Sequence, residues 1–107
     1  MRTSEVVLVL TTAPDDDRAE TLARTLVEER LAACVSLHAP MISIYQWKGA
    51  VQRDVERQIV IKTTRSRVAA LEARLRQLHS YELPEFLVLP VEQGSADYTN
   101  WVTQMVG

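Results

Sequence analysis

The chain has one cysteine, two histidines and three glycines in 107 residues, and its longest apolar runs, Val6 to Leu10 and Leu31 to Val35, are five residues long. Each scarcity closes a class of function. A membrane-spanning helix needs roughly 20 apolar residues in succession, so none is encoded. A lone Cys34 forms no intrachain disulfide, and without a Cys-x-x-Cys pair there is no structural zinc framework. Three glycines make no phosphate-cradling loop, no His-Glu-x-x-His helix is present, and Thr11-Thr12 has no obvious histidine base, so an enzyme is not expected. Net charge is scarce as well. Twelve Lys+Arg against fourteen Asp+Glu give −2, which offers no general attraction to nucleic acid or to an anionic membrane surface. The first residues lack a basic segment followed by an apolar core, which predicts a cytoplasmic protein.

What is present is ordinary globular composition, 47% hydrophobic and 24% charged, at the commonest domain size, so a single domain over residues 1–107 is expected. Val6 to Leu10 reads as a strand buried on both faces. Asp15 to Asp17 supply an N-cap and first-turn acids, and Ala19, Leu22, Ala23, Leu26 and Val27 follow at helical spacing to about Arg30. From Ala33 to Trp47 the apolar positions are odd at Ala33, Val35 and Leu37, then even at Ile42 and Ile44. That phase change predicts a bulge at Pro40 within one long strand. Trp47-Lys48-Gly49-Ala50 reads as a hairpin turn, and Val51 to Thr64 as the third strand, with Val51, Val55, Ile59 and Ile61 on one face.

Val68, Leu71, Leu75 and Leu78 mark a second helix, with Arg65, Arg67, Arg74 and Arg76 as its solvated face. Phe86 to Val91 forms a fourth strand and Asp97 to Val106 a closing helix. The order β-α-β-β-α-β-α predicts an α+β, ferredoxin-like split β-α-β arrangement with two helices on one face of an antiparallel sheet. Strands of about 14 residues are roughly 46 Å long, against a diameter of about 34 Å for a domain of this size. The hairpin therefore overhangs its own domain, carrying Ile44, Tyr45, Trp47, Val51 and Val55, and a homo-oligomer is expected to cover it.

Several segments together resemble the CutA family of divalent-cation tolerance proteins. They are Glu29-Arg30-Leu31-Ala32-Ala33-Cys34-Val35, Ser43-Ile44-Tyr45-x-Trp47-x-Gly49, Ile61-Lys62-Thr63-Thr64, Leu78-His79-Ser80-Tyr81-Glu82-Leu83-Pro84-Glu85, and the closing Leu89-Pro90-Val91, Gly94, Asp97-Tyr98 and Trp101. The match runs in register along nearly the whole chain. The resemblance implies a homotrimer of ferredoxin-like subunits whose long hairpins join three sheets, with clefts between neighbours. It also implies divalent-ion tolerance and copper binding, without a required cofactor.

His79 and Cys34 are the candidate metal ligands, imidazole and thiolate being suited to copper or zinc. The plainer readings are a packed thiol for Cys34 and a helix-end capping role for His79. His38 lies about 13 Å along the strand from Cys34, too far to share an ion, and reads as surface. The family's enteric ligands fall at positions that resemble Thr11, Leu78 and His79, and only the histidine is kept, so copper affinity is not carried over with the family name. Tyr45, Trp47, Lys62, Tyr81, Glu82 and Trp101 resemble a ligand cleft of aromatic walls, one cation and one carboxylate, suited to a small anionic or zwitterionic molecule. Lys62 and Glu82 read equally well as an ion pair, and Trp47 as an intersubunit anchor. Glu56 matches a family acidic position but reads first as strand charge. A small-ligand sensor resembling the PII signalling proteins, acting on an unknown protein partner, and a non-catalytic scaffold are the alternative functions.

Overall fold

The computed structural model describes residues 5–107; residues 1–4 of the expected unit lie outside the described residues. The elements, in order, are β1 (Val6–Pro14), α1 (Asp17–Glu28), β2 (Cys34–Trp47), β3 (Ala50–Thr64), α2 (Val68–Leu78), β4 (Leu87–Pro90) and α3 (Ala96–Val106), with one 3-10 turn, Arg65–Arg67, leading into α2. The strands form one sheet in the order β2-β3-β1-β4, every neighbouring pair antiparallel. This is the ferredoxin-like α+β arrangement that the element order predicts.

Period-two alternation divides the sheet into two unlike faces. Val7, Val9 and Ala13 of β1, with Ile59 and Ile61 of β3, are buried against Ala19, Leu22 and Leu26 of α1 and Leu71 and Leu75 of α2. The opposite face carries Leu8, Leu10 and Val60, all only half-buried, and exposed Leu87 and Leu89 of β4. At one end of the sheet α3 packs Val102 and Val106 against Val6, Ala33 and Val91.

The long hairpin closes in two residues. Lys48 (φ +50°) and Gly49 (φ +81°) both adopt the left-handed region, the pattern of a type I′ turn whose twist matches the flanking strands. The register of β2 against β3 slips by one residue between Leu37 and Pro40, the bulge predicted from the phase change. The longest dimension of the chain is 46 Å, against 27 and 24 Å for the others. Ile42, Ile44, Val51 and Val55 sit beyond the helices, with Ile44 and Val51 each 69% exposed.

Four expectations need correction. The first strand runs to Pro14 rather than Leu10, because β3 lies alongside it from Thr64 to Glu56 and supplies partners for the polar residues as well. It is not buried on both faces, since Leu8 and Leu10 point to the open side. Helix α1 stops at Glu28, where Arg30 (φ +59°) takes the left-handed position. Leu31 N–H then bonds Leu26 O and Arg30 N–H bonds Val27 O, a Schellman closure. The arginines of α2 do more than face solvent. Arg74 makes a two-pronged pair with Glu29 at 2.8 Å, and Arg67 donates to Val106 O at 2.6 Å, tying α2 to the end of α1 and to α3.

Among the described residues, one buried side-chain polar atom is unpaired. The Thr11 hydroxyl sits in the helix-side core with no hydrogen-bond partner. Leaving a buried hydroxyl unmade costs free energy that a similarly shaped apolar side chain avoids. Thr11→Val is therefore expected to raise the unfolding free energy by about 1 kcal/mol, read by urea denaturation. A loss of stability would show that the hydroxyl is partnered in solution.

Candidate functional site

The one-residue slip in β2 decides which side chains share a face. Before it, Val35 and Leu37 oppose Ile61 and Ile59 on the helix side; after it, Ile42 opposes Val55 there. Ser43, Tyr45 and Trp47 therefore turn to the open face, where Asp54 and Glu56 of β3 also point. The segment after α2 folds over the same face and encloses a cavity of about 780 Å³. Its lining includes Thr12, Tyr45, Trp47, Glu56, Tyr81 and Glu82, with Ser43, Glu85 and Phe86 beside them.

Tyr81 ties this segment to the sheet: its hydroxyl donates to Glu56 Oε2 at 2.9 Å. Gln58 Nε2 donates both to Thr11 O at 2.6 Å and to Glu85 Oε2 at 2.9 Å. His79 anchors the start of the segment. A carbonyl can only accept, so the Nε2 that lies 2.5 Å from Thr12 O carries the proton, and Nδ1 accepts the Tyr81 N–H at 3.0 Å. The His79 and Tyr81 rings lie 4.6 Å apart between centroids. Across the cleft, the Tyr45 hydroxyl donates to Asp54.

Of the residues expected in a cleft, Tyr45, Trp47, Tyr81 and Glu82 line this cavity within one chain, and Lys62 and Trp101 lie apart from it. Lys62 lies over the Tyr98 ring, 5.7 Å from its centroid, and Tyr98 packs on Trp101 at 5.6 Å. The expected Lys62–Glu82 pair is absent for that reason; Glu82 instead meets Lys48 at 3.5 Å, both side chains exposed. Cys34 opposes Lys62, and Thr12, which holds His79, opposes Gln58. Four residues of β3 thus separate the two candidate metal ligands, about 13 Å along the strand. With both ring nitrogens of His79 engaged, one chain assembles no metal centre from them, and among the described residues no group of three or more His, Cys, Asp or Glu is placed to hold an ion. His38 is exposed, and its carbonyl accepts from Arg57 Nε at 2.7 Å.

Glu56 is the residue that local pattern undervalued. It is only 8% exposed, not solvated strand charge. The available signal was register: Glu56 opposes Met41, two residues from Ser43 on the face of Tyr45.

Burial first, and then the hydrogen bond to Glu56, push the Tyr81 phenol well above its ordinary value of 10.0. The Tyr45 phenol is raised mainly by its bond to Asp54. For a group whose native pKa is raised, the stabilising contribution is complete below the unfolded value and is lost as pH climbs through the native one. Unfolding free energy is therefore expected to fall steadily above about pH 10. Tyr81→Phe should be less stable at neutral pH yet show a shallower alkaline decline, read by denaturation across pH 8 to 12. An unchanged alkaline limb would show that Tyr81 is solvated.

Comparison with known proteins agrees with the geometry. The family of CutA1 divalent ion tolerance proteins matches residues 7–105. The divalent-cation tolerance protein CutA of Thermus thermophilus is 42% identical over 103 residues, 96% of this chain and 98% of that one. Its counterpart in Pectobacterium atrosepticum is 46% identical over 98 residues, covering 92% of this chain and 89% of the other. The crystal structure of CutA from Xylella fastidiosa superimposes with a TM-score of 0.94 at 39% identity, over 97% of this chain and all of that one. A sheet with a bulged, overhanging hairpin, a segment folded across its open face, and these matches along the whole chain place the protein in the CutA family of divalent-cation tolerance proteins.

Proposed function

We propose that the chain is a single-domain subunit, residues 1–107, of a homotrimer that contributes to divalent-cation tolerance by binding a ligand rather than by catalysis. The observation that carries the assembly is the uncovered apolar surface. Ile42, Ile44, Val51 and Val55 extend the helix-side core past the end of the helices, and Leu87 and Leu89 stand exposed on the other face. An apolar ribbon of this kind is marginal in water alone and is stabilised when a second copy covers it. The outer edges of β2 and β4 are both free to pair, which supports joining of sheets between copies. An unpaired, half-buried Cys34 suits a reducing compartment such as the cytoplasm.

Copper or another divalent metal is the ligand that the family name suggests. At the positions where the resemblance implies the enteric ligands, this chain has Thr11 and Leu78, and His79 serves Thr12 and Tyr81. A hydroxyl and an aliphatic chain are poor partners for a soft metal. The tolerance role therefore rests on the cleft and not on chelation by His79 and Cys34. The cavity along the open face of the hairpin also favours a second reading, a trimeric small-ligand sensor of the PII type that signals to a protein partner.

Sedimentation of the purified protein at micromolar concentration is expected to give three times the 12.1 kDa subunit mass. Ile44→Asp with Val51→Asp should shift it to monomer. Calorimetric titration of the metal-stripped trimer with copper and with zinc should show no micromolar site that depends on His79. A tight site near one ion per subunit, lost in His79→Gln, would reverse the reading of the histidine and restore the metal centre.

A further inference from the structure

The cleft has a charge problem that the chain itself leaves unsolved. Glu56 is 8% exposed and lines the cavity; its Oε2 accepts one bond, from Tyr81, and its Oε1 accepts none from the described residues. Among the described residues no Lys, Arg or His lines the cavity, whereas Glu82 and Glu85 do, and Asp54 stands alongside through Tyr45. The basic side chains around it already have partners. Lys48, at the rim, meets Glu82 at 3.5 Å and lies 5.7 Å from the Trp47 ring centroid, Arg57 bonds His38 O, and Arg18 pairs with Asp16 at 2.7 Å. Glu85 receives only the neutral amide of Gln58. Glu56 Oε1 therefore faces the cavity rather than the packed interior, and a cation entering there would pair with a mostly buried carboxylate that the cavity lining gives no counter-charge.

The walls specify what kind of cation. Tyr45, Trp47, Tyr81 and Phe86 present aromatic surface, whose electron-rich faces attract ammonium and guanidinium groups. A volume of about 780 Å³ falls within the range of small-molecule sites. A bare metal ion would leave those walls unused, and the carboxylates are not grouped to coordinate one.

We propose that the cleft between the hairpin and the segment after α2 binds a small organic cation, an ammonium or guanidinium on an aromatic or apolar body, with Glu56 as its counter-charge. This departs from the anionic or zwitterionic ligand expected when Lys62 was counted among the cleft residues. It rests on the ligand-binding reading above and names the ligand class for it.

Three probes of one shape and different charge test the proposal on the full chain in its native assembly: benzylamine, benzyl alcohol and benzoate, titrated by calorimetry. Benzylamine is expected to bind at least tenfold more tightly than benzyl alcohol, and benzoate most weakly. Glu56→Gln, which keeps an acceptor for Tyr81, should weaken benzylamine at least tenfold and leave benzyl alcohol within threefold. Trp47→Leu, at the exposed tip and independent of the core, should weaken benzylamine severalfold. Benzoate binding as tightly as benzylamine, an unaffected Glu56→Gln, or no binding of benzylamine at millimolar concentration would each overturn it. Sedimentation on the same samples separates the two readings: a trimer that binds no cation defeats the ligand class, and a monomer defeats the assembly.

Discussion

A single extra residue in β2, between Leu37 and Pro40, sets the character of both ends of this molecule. Strand side chains alternate with a period of two, so one added residue exchanges the faces of everything beyond it. Had the ladder run unbroken, Tyr45 and Trp47 would continue the face of Val35 and Leu37, and Ile42 and Ile44 would lie on the open side. The bulge instead lets the apolar stripe of β2 stay in step with Val51, Val55, Ile59 and Ile61 of the uninterrupted β3. The helix-side apolar stripe is thereby prolonged into the overhang, while the aromatic residues turn to the opposite face. One backbone irregularity gives the ribbon two unlike sides.

On that opposite face, the segment after α2 is held by contacts that span the chain. Its anchors are His79 to Thr12, Tyr81 to Glu56 and Glu85 to Gln58, bonds to the two central strands of the sheet. The bonds to charged carboxylates are the stronger kind, and Glu56 and Tyr81 are screened from water by the cleft they form. The same shielding that strengthens the Tyr81–Glu56 bond raises the cost of leaving Glu56 without a counter-ion. The cleft is consequently both well anchored and electrostatically unfinished, a combination suited to a ligand of positive charge.

The element order, both inner helices, the hairpin turn and the bulge were legible because each leaves a local signature: spacing of three and four, alternation of two, and a phase change at a proline. Helix α2 begins at Val68 and ends at Leu78, where its apolar spacing begins and ends. Thr11 to Pro14 fall beyond the strand expected at Val6 to Leu10 because their side chains are polar or small, yet β3 lies beside them and they are mostly buried. Lys62 was placed in the cleft by the family resemblance, whereas within one chain it sits four residues of β3 from the level of Thr12 and stacks on Tyr98. Glu56 shows the opposite case. A glutamate among Arg53, Asp54 and Arg57 looks solvated, and only the fold of a segment 25 residues later buries it. Local pattern fixes which face a side chain takes; what covers that face is set by distant chain.

His79 connects these points. The resemblance marks it as the one retained member of a metal-binding set, and its surroundings give it another task. Donating from Nε2 to Thr12 O and accepting at Nδ1 from Tyr81 N–H, the ring spans from β1 to the backbone of the residue whose hydroxyl grips Glu56. An imidazole is well suited to this because one tautomer offers a donor and an acceptor on opposite edges of a rigid ring. With both edges used, a metal could take His79 only by releasing Thr12 or Tyr81, and releasing Tyr81 would loosen the wall of the cleft. Metal ligation at His79 would therefore act against the same contacts that hold Tyr81 on Glu56.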